Sequence, residues 1–371
     1  MKRWNDPHLR FGFYTFLLIA IATILIIVFL VPSPIDSDAW TPLPGPAWTG
    51  ALSPNDTLLK AELISQGKLQ HPEDIAFDVE GRLYTGCEDG NIYRLTLDTS
   101  SKAVSLYVFA KVGGYPVGLG FDKAGNLIVA AKGIGLLSLD PDGNETILTK
   151  EVDGTPITYA NDLDIASDGT IYFSDSSVKF NRGWPYDILE AKPHGRLLAY
   201  FPNTRETRVI KDGLYFANGI ALAPDESFIL VGETARYRIA RYWLKGPKRG
   251  TWDYFAENLP ILVDNIDRDK NGGYFIAGSR RLALIDSLQP NPFIKNQLAK
   301  IPFNVLKDFS TLKSNRFGLI LELDQKGSIV QSLQDSTGRV YATSSANPYK
   351  GFLYIGTLSG DAIARYPLKQ P

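Results

Sequence analysis

Hydrophobic positions follow two rhythms along the chain. From Phe11 to Val31 the sequence reads "FGFYTFLLIAIATILIIVFLV", 21 residues without a charge. From about residue 58 onward, short runs of alternating apolar and polar residues are broken every few positions by Asp, Gly or Asn, the pattern of half-buried strands joined by turns. The first rhythm predicts a helix, because about 20 apolar residues span a bilayer. It is longer than the apolar core of a cleaved leader, and "PSPIDSD" beyond it is a poor cleavage site. Lys2, Arg3 and Arg10 precede the run while Asp36 and Asp38 follow it. The charge bias predicts a single-pass protein with a cytoplasmic N-terminus and the rest on the extracytoplasmic side, whether periplasm, exterior or lumen. The expected organisation is a cytoplasmic stub (1–10), an anchor (11–31), a Pro/Gly-rich extended tether (32–57) and a β domain (58–371).

The β domain repeats. "PEDIAFDVEGRLYTG" from Pro72 is matched by "PVGLGFDKAGNLIVA" from Pro116, "ANDLDIASDGTIYFS" from Ala160, "ANGIALAPDESFILV" from Ala217, "VDNIDRDKNGGYFIA" from Val263 and, more weakly, "ATSSANPYKGFLYIG" from Ala342. Each is a strand, a turn and a second strand. Six such copies, roughly 45 to 80 residues apart with strand-like segments between them, predict an all-β, six-bladed β-propeller preceded by a single transmembrane helix. "LLKAELIS", ahead of the first copy, is expected to pair with the last blade and close the ring.

The second position of the copies holds Glu73, Val117, Asn161, Asn218, Asp264 and Thr343, and eight residues later stand Gly81, Gly125, Gly169, Glu226, Gly272 and Gly351. Blades are related by rotation about a central axis, so side chains in one register at their inner ends point to one place. Two carboxylates and two amides meeting there are expensive to bury unless a cation lies among them. Oxygen ligands of this kind suit Ca²⁺, ahead of Mg²⁺ or Mn²⁺. Asn265 could add another oxygen. The bland explanation is that Asn and Asp are common ahead of turns, but four oxygen-bearing side chains in one register upstream of the turn weigh against it. Asp74 and Asp162, next to Glu73 and Asn161, are candidates for a second, structural ion, with hydrogen bonding to backbone amides as the alternative.

Composition narrows the classes. The chain is 44% hydrophobic and 21% charged, with a formal net charge of −1, and shows no basic stripe, so no nucleic-acid partner is expected. A single cysteine, Cys87, excludes an internal disulfide and a Cys-based metal site, and its strand setting predicts a small buried apolar side chain. No G-x-S-x-G, H-E-x-x-H or P-loop motif is found.

"YANDLDIASDGTIYFSDSSVKFNR", "FANGIALAPDESFILVGETARYRIARYWLKG" and "DNIDRDKNGGYFIAG" together resemble the strictosidine synthase-like family, over roughly residues 58 to 368 and in a branch anchored by a single span. More distantly the chain is similar to the gluconolactonase, paraoxonase and diisopropylfluorophosphatase group of calcium-dependent six-bladed propellers. That resemblance implies an axial Ca²⁺ held by Glu73, Asn161, Asn218 and Asp264, with Asn265 a further ligand and Asp74 and Asp162 at a second calcium site. The histidine pair of paraoxonase-like enzymes is replaced by Val117 and Lys132. The blade that carries the synthase's glutamate reads "VYATSSANPYKG", without an acid, so the synthase reaction is not expected.

The expected function is a membrane-anchored, calcium-dependent hydrolase acting on a small-molecule ester or lactone. The ion would polarise the substrate oxygen, with Asp264 as nucleophile or general base. The alternative is a non-catalytic, membrane-tethered propeller serving as a binding or scaffold module. Of three histidines, His8 falls in the stub, His71 is expected to be structural, and His194 sits in a loop. Two insertions, 176–195 and 287–316, are expected to shape the entrance or to touch the membrane or a partner, the second with a helix after Pro292.

Overall fold

The computed structural model describes residues 7–98, 103–181, 183–302, 304–306 and 316–368. Residues 1–6 of the expected stub, and 303 and 307–315 of the second insertion, lie outside the described residues.

Six four-stranded antiparallel sheets follow one another in chain order. Their innermost strands are Ile75–Phe77, Tyr115–Phe121, Ala160–Ile165, Ala217–Leu222, Ile261–Arg268 and Thr343–Tyr349. Burial follows position in the blade: Ala217–Leu222 and the neighbouring Phe228–Glu233 are almost wholly buried, whereas the outermost strand Glu145–Thr149 is largely exposed. The apolar core is a ring of interfaces rather than one centre. Leu230 and Phe255 of blade 4 pack on Val263 and Leu321 of blade 5, and Tyr84 and Ile92 of blade 1 pack on Val129 and Leu137 of blade 2. Every other pair of neighbouring blades encloses a similar cluster, including blade 6 against blade 1. Cys87 lies in that last cluster, fully buried, its thiol pushed up to about 12 by burial.

The ring closes as the sequence predicts. Glu62–Ile64 pairs with Ile363–Pro367 as the outer strand of the last blade, with Leu63 opposite Ala364 and Ile64 opposite Ile363. The constant eight-residue offset also has a structural cause. Gly81, Gly125, Gly169, Gly272 and Gly351 all turn with φ between 81° and 90°, the left-handed region that glycine enters freely. Glu226 takes the same place at φ 55°. Its carboxylate compensates by accepting from the backbone N–H (2.5 Å) and hydroxyl (3.0 Å) of Ser167, in the turn of the preceding blade.

At the N-terminus, helix α1 (Pro7–Leu30, 24 residues) takes in the apolar run. Some of its side chains are not among those described, and among the described residues no helix is long and apolar enough to cross a membrane. The anchor assignment therefore rests on the sequence. Residues 33–57 contain no strand and run along the propeller surface as a strap. Ile35 is buried against Leu189 and Ala299, and Leu52 joins the interface of blades 4 and 5. Trp40 donates from Nε1 to Gln289 Oε1 at 2.9 Å. The strap thereby ties together the first insertion, with α2 (Trp184–Glu190), and the second, with α4 (Pro292–Leu298), into which α3 (Ala283–Leu288) leads. Helix α4 starts at Pro292 as expected, capped by Asn291, whose side chain accepts from the Ile294 N–H at 3.1 Å.

Candidate metal centre at the propeller axis

The inner strands do not run straight into the hub. In blades 3, 4 and 5 the pairing register slips between Ala160 and Leu163, between Ala217 and Ile220, and between Val263 and Ile266. A bulge leaves residues out of the ladder, bends the strand and re-aims their side chains. The residues left out are Asn161 and Asp162, Asn218 and Gly219, and Asp264 and Asn265. Blade 2 slips at the same place, around Val117, and blade 6 one residue later, around Ser344 and Ser345. In blade 1, Glu73 and Asp74 stand just ahead of the inner strand, with the Glu73 N–H donating to Gly86 O at 3.1 Å. In blades 3 and 5 the side-by-side oxygen-bearing residues of the sequence thus each form a bulge.

All five axial residues are at most 5% exposed. Glu73 Oε2, Asn161 Oδ1, Asn218 Oδ1, Asp264 Oδ2 and Asn265 Oδ1 are buried without a hydrogen-bond partner. The amide orientations follow from their surroundings. Ser176 Oγ donates to Ala217 O at 2.6 Å, which leaves it to accept from Asn161 Nδ2 at 2.8 Å. Thr234 Oγ1 likewise donates to Val263 O at 2.6 Å and accepts from Asn218 Nδ2 at 3.2 Å. Asn218 Nδ2 also donates to Asp264 Oδ1 at 2.7 Å. The donor ends of both amides are spent on the protein, leaving oxygens to face the site. Each buried acceptor without a partner costs on the order of 1–3 kcal/mol, and five together fit a hard cation that takes 6–8 oxygens. Among the described residues no three His, Cys, Asp or Glu side chains group so as to hold a metal; the axial set has two carboxylates, its remaining oxygens being amide.

Electrostatics agree with that fit. Burial, reinforced by Glu73, pushes the Asp264 carboxyl well above the ordinary range despite Lys132 and the Asn218 bond. Burial raises Glu73 too, with Lys132 opposing. Lys132 Nζ lies 3.7 Å from Glu73 Oε2 and over the rings of Tyr115 (4.9 Å) and Tyr159 (4.8 Å). Burial disfavours its charge, but Glu73, Tyr159 and Asp264 outweigh that and hold the ammonium above the usual lysine range.

Asp74 and Asp162 do different work in this structure. Asp74 Oδ2 accepts from Leu119 N–H at 2.8 Å and Asp162 Oδ2 from Ile220 N–H at 2.7 Å, each stitching its inner strand to that of the next blade. Asp164 does the same with Leu222 (2.9 Å) and Asp267 with Ala346 (2.8 Å). Burial, with like charges added by Asp267 and by Asp74 respectively, raises Asp74 and Asp162 well above the carboxylate range. His71 pairs with Glu88, and its carbonyl accepts from Tyr115 Oη at 2.9 Å. His194 Nε2 meets Glu190 Oε2 at 2.8 Å within the first insertion. The open cleft of about 330 Å³ lined by Asp269, Asn271, Glu322 and Lys326 contains none of the axial residues.

Sequence reasoning placed Lys132 only as a substituted position, and it missed Ser176 and Thr234. These two stand 15 and 16 residues after Asn161 and Asn218, just past the second strand of their blades. A hydroxyl at that spacing after an axial amide is the signal that would have found them.

Solved structures share this architecture. A gluconolactonase from Xanthomonas campestris aligns over 91% of this chain and 97% of its own at a TM-score of 0.60 and 18% identity. A calcium-binding regucalcin from Agrobacterium tumefaciens aligns over 83% and 97% at 0.57 and 12%. The protein is thus a six-bladed propeller of the gluconolactonase–regucalcin fold. Family models for strictosidine synthase match residues 161–247 and for the strictosidine synthase-like N-terminal region residues 50–95. An adipocyte plasma membrane-associated protein from Danio rerio is 32% identical over 99% of this chain and 92% of its own, and that from Rattus norvegicus 33% over 96% and 99%. A strictosidine synthase-like protein of Arabidopsis thaliana is 33% identical over 85% and 83%. The chain belongs to the strictosidine synthase-like family, with the adipocyte plasma membrane-associated proteins among its relatives.

Proposed function

We propose that the protein is a membrane-anchored, calcium-dependent hydrolase of esters or lactones. The observation that carries this reading is the set of five buried oxygens without a hydrogen-bond partner on Glu73, Asn161, Asn218, Asp264 and Asn265. These residues would hold the ion, and a bound calcium would supply Lewis-acid polarisation of the substrate carbonyl. Asp264 presents Oδ2 to the site while Asn218 fixes Oδ1, an arrangement suited to taking a proton from water or attacking the acyl carbon. Asn161 and Asn218 are locked by Ser176 and Thr234 and orient what enters. The anchor would be the run Phe11–Val31, 21 residues without a charge, about the number that spans a bilayer as a helix. The charges flanking that run favour an extracytoplasmic propeller. A gluconolactonase and a calcium-binding regucalcin among proteins of this fold are consistent with the reading.

The test is hydrolysis of phenyl acetate and a lactone panel by the purified full chain, with and without EDTA, beside Asp264→Asn. Activity lost on chelation, restored by calcium and absent in the variant supports the reading. A folded protein that neither binds calcium nor hydrolyses any of these overturns it. That outcome would favour the scaffold alternative, in which the Lys132 ammonium alone offsets the axial carboxylates.

A further inference from the structure

The fixed charges of the axis point to the class of substrate. Glu73 and Asp264 contribute two negative charges, which a divalent ion would balance. Lys132, whose ammonium lies 3.7 Å from Glu73 Oε2, then adds a third positive charge that the two carboxylates do not balance. It is not a stray surface lysine. It ends the second strand of blade 2, Leu127–Lys132, opposite Tyr115 in the ladder, and forms an isolated bridge to Tyr159. Its ammonium lies between the faces of those two rings, each within 5 Å, and its side chain is 12% exposed, so it is clamped yet still reachable. Tyr115 is itself fixed by its hydroxyl bond to His71 O. A cation held between two aromatic faces loses little freedom on meeting an anion. A like charge beside a metal also weakens the metal's hold, an expense that a site for neutral substrates would have no reason to carry.

We propose that Lys132 makes the loaded axial site an anion receptor, so that the substrate is an ester or lactone carrying a carboxylate or phosphate close to the scissile carbonyl. This rests on the hydrolase reading above. The carbonyl oxygen would meet the ion, and the anionic group the Lys132 ammonium.

The experiment uses the full chain, wild type beside Lys132→Met and Lys132→Arg, with folding checked by circular dichroism. Calorimetry with calcium alone should show Lys132→Met binding the ion at least tenfold more tightly, because the like charge is gone. Benzoate titrated into the calcium-loaded protein should bind the wild type and Lys132→Arg, and bind Lys132→Met at least tenfold more weakly. In turnover, the ratio of kcat/KM for 4-acetoxybenzoate to that for phenyl acetate should exceed one in the wild type and fall at least tenfold in Lys132→Met. Calcium affinity unchanged in Lys132→Met, benzoate binding indifferent to residue 132, or a wild-type preference for the neutral ester would each overturn the proposal. If neither ester is cleaved, the hydrolase reading fails, and the calcium and benzoate titrations still decide the role of Lys132. A protein that takes up no divalent ion overturns both.

Discussion

Asn218 and Asp264 belong to different blades, yet Asn218 Nδ2 donates to Asp264 Oδ1 at 2.7 Å across the boundary, leaving one oxygen of each side chain aimed elsewhere. In the proposed centre one amide is both ligand and positioning group. Removing it should cost more than removing a ligand alone. Asn218→Ala is expected to lower calcium affinity by about 10–100-fold, and Asn218→Asp by less, since an oxygen remains although the hydrogen bond becomes a repulsion. Calorimetric titration with calcium checks this; equal affinity in all three proteins would remove Asn218 from the centre.

Close packing at the hub offers a second lever. A Cβ on Gly219 would lie 2.3 Å from Asp264 O and 2.6 Å from Ile266 N, both backbone atoms that cannot swing aside. Gly219→Ala should shift the bulge that carries Asp264. It should lower the unfolding midpoint, by an amount corresponding to about 1–3 kcal/mol, and weaken calcium binding together with it. A variant as stable as the parent would show that blades 4 and 5 are less tightly meshed here.

The first insertion carries a pH-sensitive group. Asp187 on α2 is fully buried, neither of its carboxyl oxygens has a hydrogen-bond partner, and burial, with the charge of Glu190 added, pushes it up to about 7 while Ser177 opposes. Its folded pKa lies above the unfolded value of 3.8. The folded protein therefore holds the proton more tightly, and the stability this gives is full below about pH 4 and lost as pH rises through 7. A shift of about three units corresponds to roughly 4 kcal/mol. Asp187→Asn should flatten that slope, unfolding at higher denaturant than the parent at pH 8 and at nearly the same concentration at pH 4. Parallel stability curves for the two proteins would refute the assignment.

The strap makes its own prediction. Ile35 is 4% exposed against Leu189 and Ala299, and the Asp36 N–H donates to Glu190 Oε1 at 2.8 Å. Ile35→Ala should cost about 2–5 kcal/mol if the strap and insertions unfold with the propeller. It should also speed proteolytic cleavage in the insertions ahead of the blades. Unaltered cleavage would mean that the strap is held by its polar contacts alone.

Much of this was legible beforehand because propeller repeats leave a register in the chain. The left-handed turn demands glycine, so Gly81, Gly125, Gly169, Gly272 and Gly351 mark the hairpins, and counting back eight residues lands on the hub. Once the blades are counted, Glu73, Asn161, Asn218 and Asp264 share one register, and the structure shows Asn218 meeting Asp264 across the blade boundary. The bulges were not legible, since a slip in pairing leaves no residue type behind. The sequence leaves Asp74 and Asp162 open between a second ion and backbone amides, and here they accept from the N–H groups of Leu119 and Ile220. The strap was hidden for a related reason. A Pro-rich segment such as 41–46 reads as a spacer, and only the folded surface shows what Ile35 and Trp40 lie against.

The ladder that joins Glu62–Ile64 to Ile363–Pro367 sets an order of events during synthesis. Glu62 and its partner Arg365 are 303 residues apart, so the first strand to leave the ribosome is the last to find its place. Contacts that distant form slowly. Until Ile363–Pro367 emerges, the growing chain carries an unpaired edge strand open to pairing with the wrong neighbour.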